Sequence, residues 1–211
     1  MKVYHVIAAD PGASKDNPGG LVHIFGAAGG KPTIVSTLAM PLVEDKAHTF
    51  TSGAHLVDVL ELRRWLVLTS DKAHPLTIVV EKSQSMPKMA VGSMFNYGTN
   101  YGRLLAALEI TFAFAPRCPT ITTVRPTVWK KSFGLTAGNK KASQAVATRV
   151  FDTMKPWRRA KDHGIAEAAL IAYWKLDRLC RMHGELVDKK DSRANPDPSG
   201  SRDCVDPGSA A

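Results

Sequence analysis

Residues 76–82 read LTIVVEK, an unbroken run of apolar and β-branched positions closed by a carboxylate. A run this short and this continuously apolar marks a strand covered on both faces, which puts it inside a sheet with helices on either side. Three more β-rich runs precede it. VYHVIAAD at 3–10, LVHIFGAA at 21–28 and TIVSTLAM at 33–40 are separated by a polar loop and by Gly29-Gly30, the pattern of a three-stranded antiparallel meander. Residues 52–69 carry apolar side chains at helical spacing, and so does the glycine-punctuated stretch 93–114. TITTVRP from 120 reads as a fifth strand, a basic segment spans 129–151, and a last helix begins near Asp162. The fold class is α/β: a mixed five-stranded sheet, three strands antiparallel and two parallel, flanked by helices. We expect one domain over residues 1–187. Residues 188–211 lack periodicity and are rich in Pro, Gly, Ser and Asp, so a disordered C-terminal tail is expected there.

Lys and Arg number 28 against 19 Asp and Glu, a formal charge of +9, which favours a polyanionic partner. Cys118, Cys180 and Cys204 have neither an even framework nor metal-ligand spacing, so they read as reduced thiols of a cytoplasmic protein. No secretory leader opens the sequence, and no apolar run reaches the ~18 residues of a membrane span. Neither a membrane nor a small-molecule cofactor is expected.

The acids carry the chemistry. Asp10 closes the first strand and Glu81 the buried one, and both strands belong at the centre of the sheet. Carboxylates at one sheet edge repel unless a cation neutralises them. Asp162 and Glu167, at the start of the last helix, can bring two more acids to the same point. Oxygen ligands without a Cys or His cluster favour Mg²⁺ or Mn²⁺, and two such ions per site support phosphodiester hydrolysis. At ~100° per residue His163 lies ~40° from Glu167 around a helix and Asp162 ~140° away, so Asp162 reaches the ions only from a non-helical position. The ligand set is read as Asp10, Glu81, Asp162 and Glu167, the carboxylate Asp162 being preferred to His163 for its chemistry; His163 is assigned to ligand support or proton transfer.

Asp10-Pro11-Gly12, then Glu81-Lys82-Ser83-Gln84-Ser85-Met86-Pro87, then Ser93-Met94-Phe95-Asn96-Tyr97-Gly98, and finally Lys161 to Ala168 with Asp162, His163 and Glu167, stand in one order. Over residues 3–180 this resembles the RuvC-type Holliday junction resolvases of the RNase H-like (retroviral integrase) superfamily, and most closely their phage-encoded branch. The resemblance implies an RNase H-like fold and a homodimer in the cytoplasm, a phage's host cell included. It also implies paired, metal-dependent incisions in four-way DNA. Cellular members place their last two metal-binding residues three apart, whereas the residue three before Glu167 is Gly164. Alternatives are an RNase H-like nuclease acting on RNA–DNA hybrids or flaps, and a DNA-structure binder without activity.

For DNA contact the candidates are Lys82, Lys88, Arg103, Lys130, Lys131, Lys140 and Lys141 on phosphates, and Phe95 and Tyr97 stacked on unpaired bases at the crossover. Trp129 reads as core, and His5, His23, His48, His55, His74 and His183 as structural.

Overall fold

A computed structural model of the chain describes residues 2–14, 17–45, 55–70, 73, 75–82, 90–113, 115, 118–136, 140–153 and 155–182, with the backbone alone at 13, 14, 17 and 140. The expected tail at 188–211, Ser83 to Pro87, Lys88, His48, His74, His183, Cys204 and the Lys140 side chain lie outside the described residues. Strands β1 (Val3–Ser14), β2 (Asn17–Ala27) and β3 (Thr33–Ala39) are followed by short β4 (Leu42–Glu44) and β5 (His55–Val57). Then come α1 (Val59–Ser70), β6 (Leu76–Glu81), α2 (Val91–Phe112), β7 (Thr120–Val124), α3 (Pro126–Lys131) and α4 (Lys140–Phe151). Two 3₁₀ turns, Lys155–Trp157 and Ala160–Asp162, lead into α5 (His163–Met182).

The main sheet runs β3-β2-β1-β6-β7. Strands β1, β2 and β3 pair antiparallel, while β6 and β7 run parallel to β1, the expected mixed architecture. Alternation along each strand sorts the side chains into two cores. Ile7, Ala9, Leu21, Ile78 and Val80 pack with α1 and α2 on one face. On the other, Tyr4, Val6, Ala8, Val22, Ile24 and Val79 meet α5. Because Ala166, Ala168, Ala169 and Ala172 are small, α5 lies close on the sheet, and nearly its whole first half is buried.

Three boundaries differ from expectation. The helical spacing at 52–69 spans a strand and a helix: Val57 pairs with Leu42 in the second sheet, and the Asp58 carboxylate accepts the N–H groups of Leu60 (3.0 Å) and Glu61 (3.1 Å), capping α1 at its true start. Strand β1 does not end at Asp10. A register shift between Asp10 and Ala13 absorbs Pro11 and Gly12 as a bulge, where proline's missing donor is tolerated, and pairing resumes to Ser14. The basic segment divides into α3 and α4, parted after Gly134, whose φ of +65° suits glycine.

His5, His23 and Thr69 form a chain between β1, β2 and α1, towards the end of β1 remote from Asp10: His5 Nδ1 lies 3.0 Å from His23 Nε2, and His23 Nδ1 3.0 Å from Thr69 Oγ1. Burial, then the neighbouring His5, lower the His23 pKa from 6.5 to about 4. A histidine with a depressed folded pKa contributes fully above the unfolded value and loses that contribution as pH falls towards the folded one, because the unfolded chain protonates first. Thermal unfolding between about pH 7 and pH 4 should therefore show a steeper loss of Tm for wild type than for His23→Gln, which cannot titrate. Equal slopes for the two proteins would remove His23 as the cause.

Candidate active site

In the parallel pair β1–β6, Ala9 stands opposite Val80, so the next step of the register brings Asp10 beside Glu81. Both have the parity of Ala8 and Val79, whose side chains lie in the α5 core, so both carboxylates face α5. The bulge after Asp10 turns the Gly12 N–H on to its carboxylate, a contact that favours the charged form.

Glu167 comes to the same place because α5 starts against β2. Gly164 bridges to Gly19, and the backbones there leave no room for side chains. A Cβ on Gly20 would stand 2.6 Å from the Ile165 nitrogen, and one on Gly164 2.5 Å from the Pro18 carbonyl oxygen. Glu167 follows one turn later, buried. Lys130 Nζ on α3 donates to both of its oxygens, at 3.1 and 3.3 Å, and Ser143 Oγ on α4 donates to Oε1 at 2.9 Å. Beside Lys130, Trp129 is fully buried, as a core residue should be, yet its indole Nε1–H donates to Glu81 Oε2 at 2.6 Å.

The three acids act on one another. Burial raises the Asp10 pKa well above the ordinary carboxylate range, and Glu81 and then Glu167 add to the rise; the Gly12 N–H and Lys130 oppose it. Burial likewise lifts Glu81 to about 7, against the Trp129 hydrogen bond and Lys130, with Glu167 pushing further up. Among the described residues no three His, Cys, Asp or Glu side chains are drawn round a common point as a ready metal cage. The donor set nonetheless suits a hard divalent cation: it is all oxygen, buried at Glu81 and Glu167 and half-buried at Asp10, and short of positive charge. Asp10, Glu81 and Glu167 fit such an ion.

Asp162 is not brought into this group. Its carboxylate accepts the Arg159 backbone N–H at 3.0 Å and the guanidinium at 2.9 to 3.2 Å, closing the turn before α5. Burial alone would raise its pKa, but Arg159 holds it below the ordinary value. No effect of Asp162 on Asp10 or Glu81 accompanies the three acids' own. His163 opens α5, buried, with Nδ1 3.0 Å from the Ala160 carbonyl oxygen. That carbonyl requires a proton on Nδ1, and in the neutral ring the lone pair is then on Nε2. Of the residues expected on DNA, Lys82, Lys131, Lys141 and Phe95 are exposed and Tyr97 is half-buried. Arg103 is instead tied to the fold, its Nε donating to the Val57 carbonyl at 2.9 Å, and Lys130 lies within the acid group.

No family model and no curated protein matches the chain. Among solved structures it is similar to T. thermophilus RuvC in complex with a Holliday junction substrate, at 13% identity and a TM-score of 0.53, covering 86% of this chain and 97% of that one. It is also similar to a second Thermus thermophilus RuvC structure, at 14% identity and a TM-score of 0.53, covering 85% and 96%. The yeast mitochondrial Holliday junction resolvase Ydc2 follows at 15% identity and a TM-score of 0.45, covering 81% and 77%. What the RuvC structures share with this chain is the RNase H-like α/β fold.

A carboxyl with a raised folded pKa contributes stability below its unfolded value of 4.5 and loses it as pH rises through about 7. Glu81→Gln imitates the protonated form at every pH. In EDTA it should therefore exceed wild type in stability by about 1–3 kcal/mol above pH 7, with the gap closing below about pH 5. Urea unfolding at the two pH values measures this, and a variant less stable than wild type above pH 7 would contradict the cost of burying the charged Glu81.

Proposed function

We propose that the chain is a divalent-metal-dependent endonuclease that resolves four-way DNA junctions, acting as a homodimer so that two sites make paired incisions. The observation that carries this reading is the gathering of Asp10, Glu81 and Glu167, from two central strands and the last helix, on a fold shared with RuvC. RuvC of T. thermophilus has been seen with a Holliday junction substrate, and the net charge of +9 suits a polyanion here. The signature Glu81-Lys82-Ser83-Gln84-Ser85-Met86-Pro87 favours the phage-encoded branch, with recombination or repair in the host cytoplasm as the setting.

Asp10, Glu81 and Glu167 would hold Mg²⁺ or Mn²⁺, two ions per site. When bound, these ions supply a more acidic water and neutralise charge at the phosphate. The protein fixes the geometry around them. Trp129 Nε1–H aims one Glu81 oxygen, Ser143 Oγ aims one Glu167 oxygen, and the Ala160 carbonyl sets the His163 tautomer, so that Nε2 can take up a proton. Lys131, next to Lys130, and Lys141, two residues before Ser143, are exposed and available to phosphates.

The test offers a synthetic four-way junction, linear duplex, flap and RNA–DNA hybrid, each with Mg²⁺ and with EDTA. The junction should be cut in preference, in Mg²⁺ only. Asp10→Asn and Glu167→Gln should each reduce cutting by about 10²-fold or more while junction binding persists. Asp162→Asn should keep most of the rate, because its amide carbonyl can still accept from Arg159 and close the turn before α5. Equal cutting of the hybrid would favour a broader RNase H-like nuclease. Binding without cutting would favour a non-catalytic binder, and a dead Asp162→Asn would return that residue to the ligand set.

A further inference from the structure

Lys130 has an unusual position for a basic residue on a DNA-binding surface. Its ammonium is sheltered, with 17% of the side chain exposed, against 12% for the Glu167 side chain it binds. It reaches both Glu167 oxygens, at 3.1 and 3.3 Å, and lies 5.1 Å from the centroid of the Trp129 ring. That same indole donates its N–H to Glu81. Helix α3 thus gives one hydrogen-bond donor to the acid of β6 and one full positive charge to the acid of α5, and the charge acts on Asp10 and Glu81 as well.

We propose that Lys130 is a resident counter-ion that takes the cation's place on Glu167 in the metal-free protein and must yield when a divalent ion enters. This rests on the metal-dependent reading above. Lys130 already reaches both Glu167 oxygens and Ser143 also occupies Oε1, so an entering ion meets a carboxylate whose oxygens are engaged and an ammonium that repels it. The ion therefore gains Glu167 only as the ammonium leaves. The exchange is a side-chain movement. Trp129 is fully buried beside Lys130 and anchors α3, while the flexible four-carbon lysine stem can swing without it. Lys130 consequently stabilises the resting acid group and weakens its affinity for metal. It is a positioning residue for Glu167.

The experiment is Mn²⁺ titration of the full chain, by calorimetry and by the electron paramagnetic resonance signal of free Mn²⁺, with Tm measured in EDTA. Lys130→Met keeps the stem and removes the charge. It should bind Mn²⁺ about three- to tenfold more tightly than wild type, the yield of removing one partly screened ion pair. Its Tm in EDTA should fall, and saturating Mn²⁺ should restore it. Lys130→Arg should bind Mn²⁺ no more tightly than wild type. If Lys130→Met does not fold, Lys130→Gln carries the same expectation. Affinity within about twofold of wild type, or weaker, would overturn the proposal, and weakened junction binding with unchanged Mn²⁺ affinity would make Lys130 a phosphate contact instead. Asp10→Asn separates the two levels. If wild type binds Mn²⁺, Asp10→Asn does not, and Lys130→Met is unchanged, the metal reading stands and this inference alone falls. If wild type binds none, or Asp10→Asn binds equally, both fall.

Discussion

Two acids side by side where the pairing of adjacent parallel strands stops set the terms for everything around them. The β1–β6 register ends with Ala9 opposite Val80, so the residues that follow, Asp10 and Glu81, are neighbours. For each of them burial raises the pKa more than the other acids do, so the larger cost is loss of water rather than mutual charge. The nearby structure offsets that cost with partners that favour the charged forms. The β1 bulge supplies the Gly12 N–H, and α3 supplies the Trp129 N–H and the Lys130 ammonium.

A third acid makes the demand greater, and its placement depends on how close a helix can come to a strand. With Gly164 bridged to Gly19 and Gly20 close against the Ile165 backbone, a methyl group at Gly20 or Gly164 would part α5 from β2. Lifting the helix start would carry Glu167 with it, since Glu167 lies one turn along. The alanine-rich face that follows keeps the rest of α5 low on the sheet. The apolar helix thus sets where its one buried acid, Glu167, stands.

The sheet was legible in the sequence because its strands are alternating or continuously apolar, and because Gly29-Gly30 part β2 from β3. Asp10 and Glu81 were legible because each closes such a run. The start of α1 was not: apolar spacing runs on from residue 52, whereas the helix begins where Asp58 accepts the N–H groups of Leu60 and Glu61. For Asp162, helical geometry pointed away from the site and ligand chemistry pointed towards it. Arg159, three residues earlier, takes its carboxylate, and such a local pair can form whatever the tertiary structure does. The contacts of Trp129 with Glu81, Lys130 with Glu167 and Ser143 with Glu167 span 48, 37 and 24 residues, with no local pattern to announce them. Reading Trp129 as core was right about its burial and silent about its N–H.

The charge distribution has a further logic on the proposed reading. A body with excess positive charge attracts DNA over distances comparable to the screening length, about 8–10 Å at physiological salt. At contact the sign reverses, because the site itself presents three carboxylates. A phosphate cannot settle among them while they are bare, since the repulsion is short-ranged and poorly screened where water has been removed. One lysine neutralises one of the three. Long-range attraction and local repulsion together let DNA collect on the surface yet keep its backbone out of the acid group until cations are present. On that reading substrate placement follows metal binding.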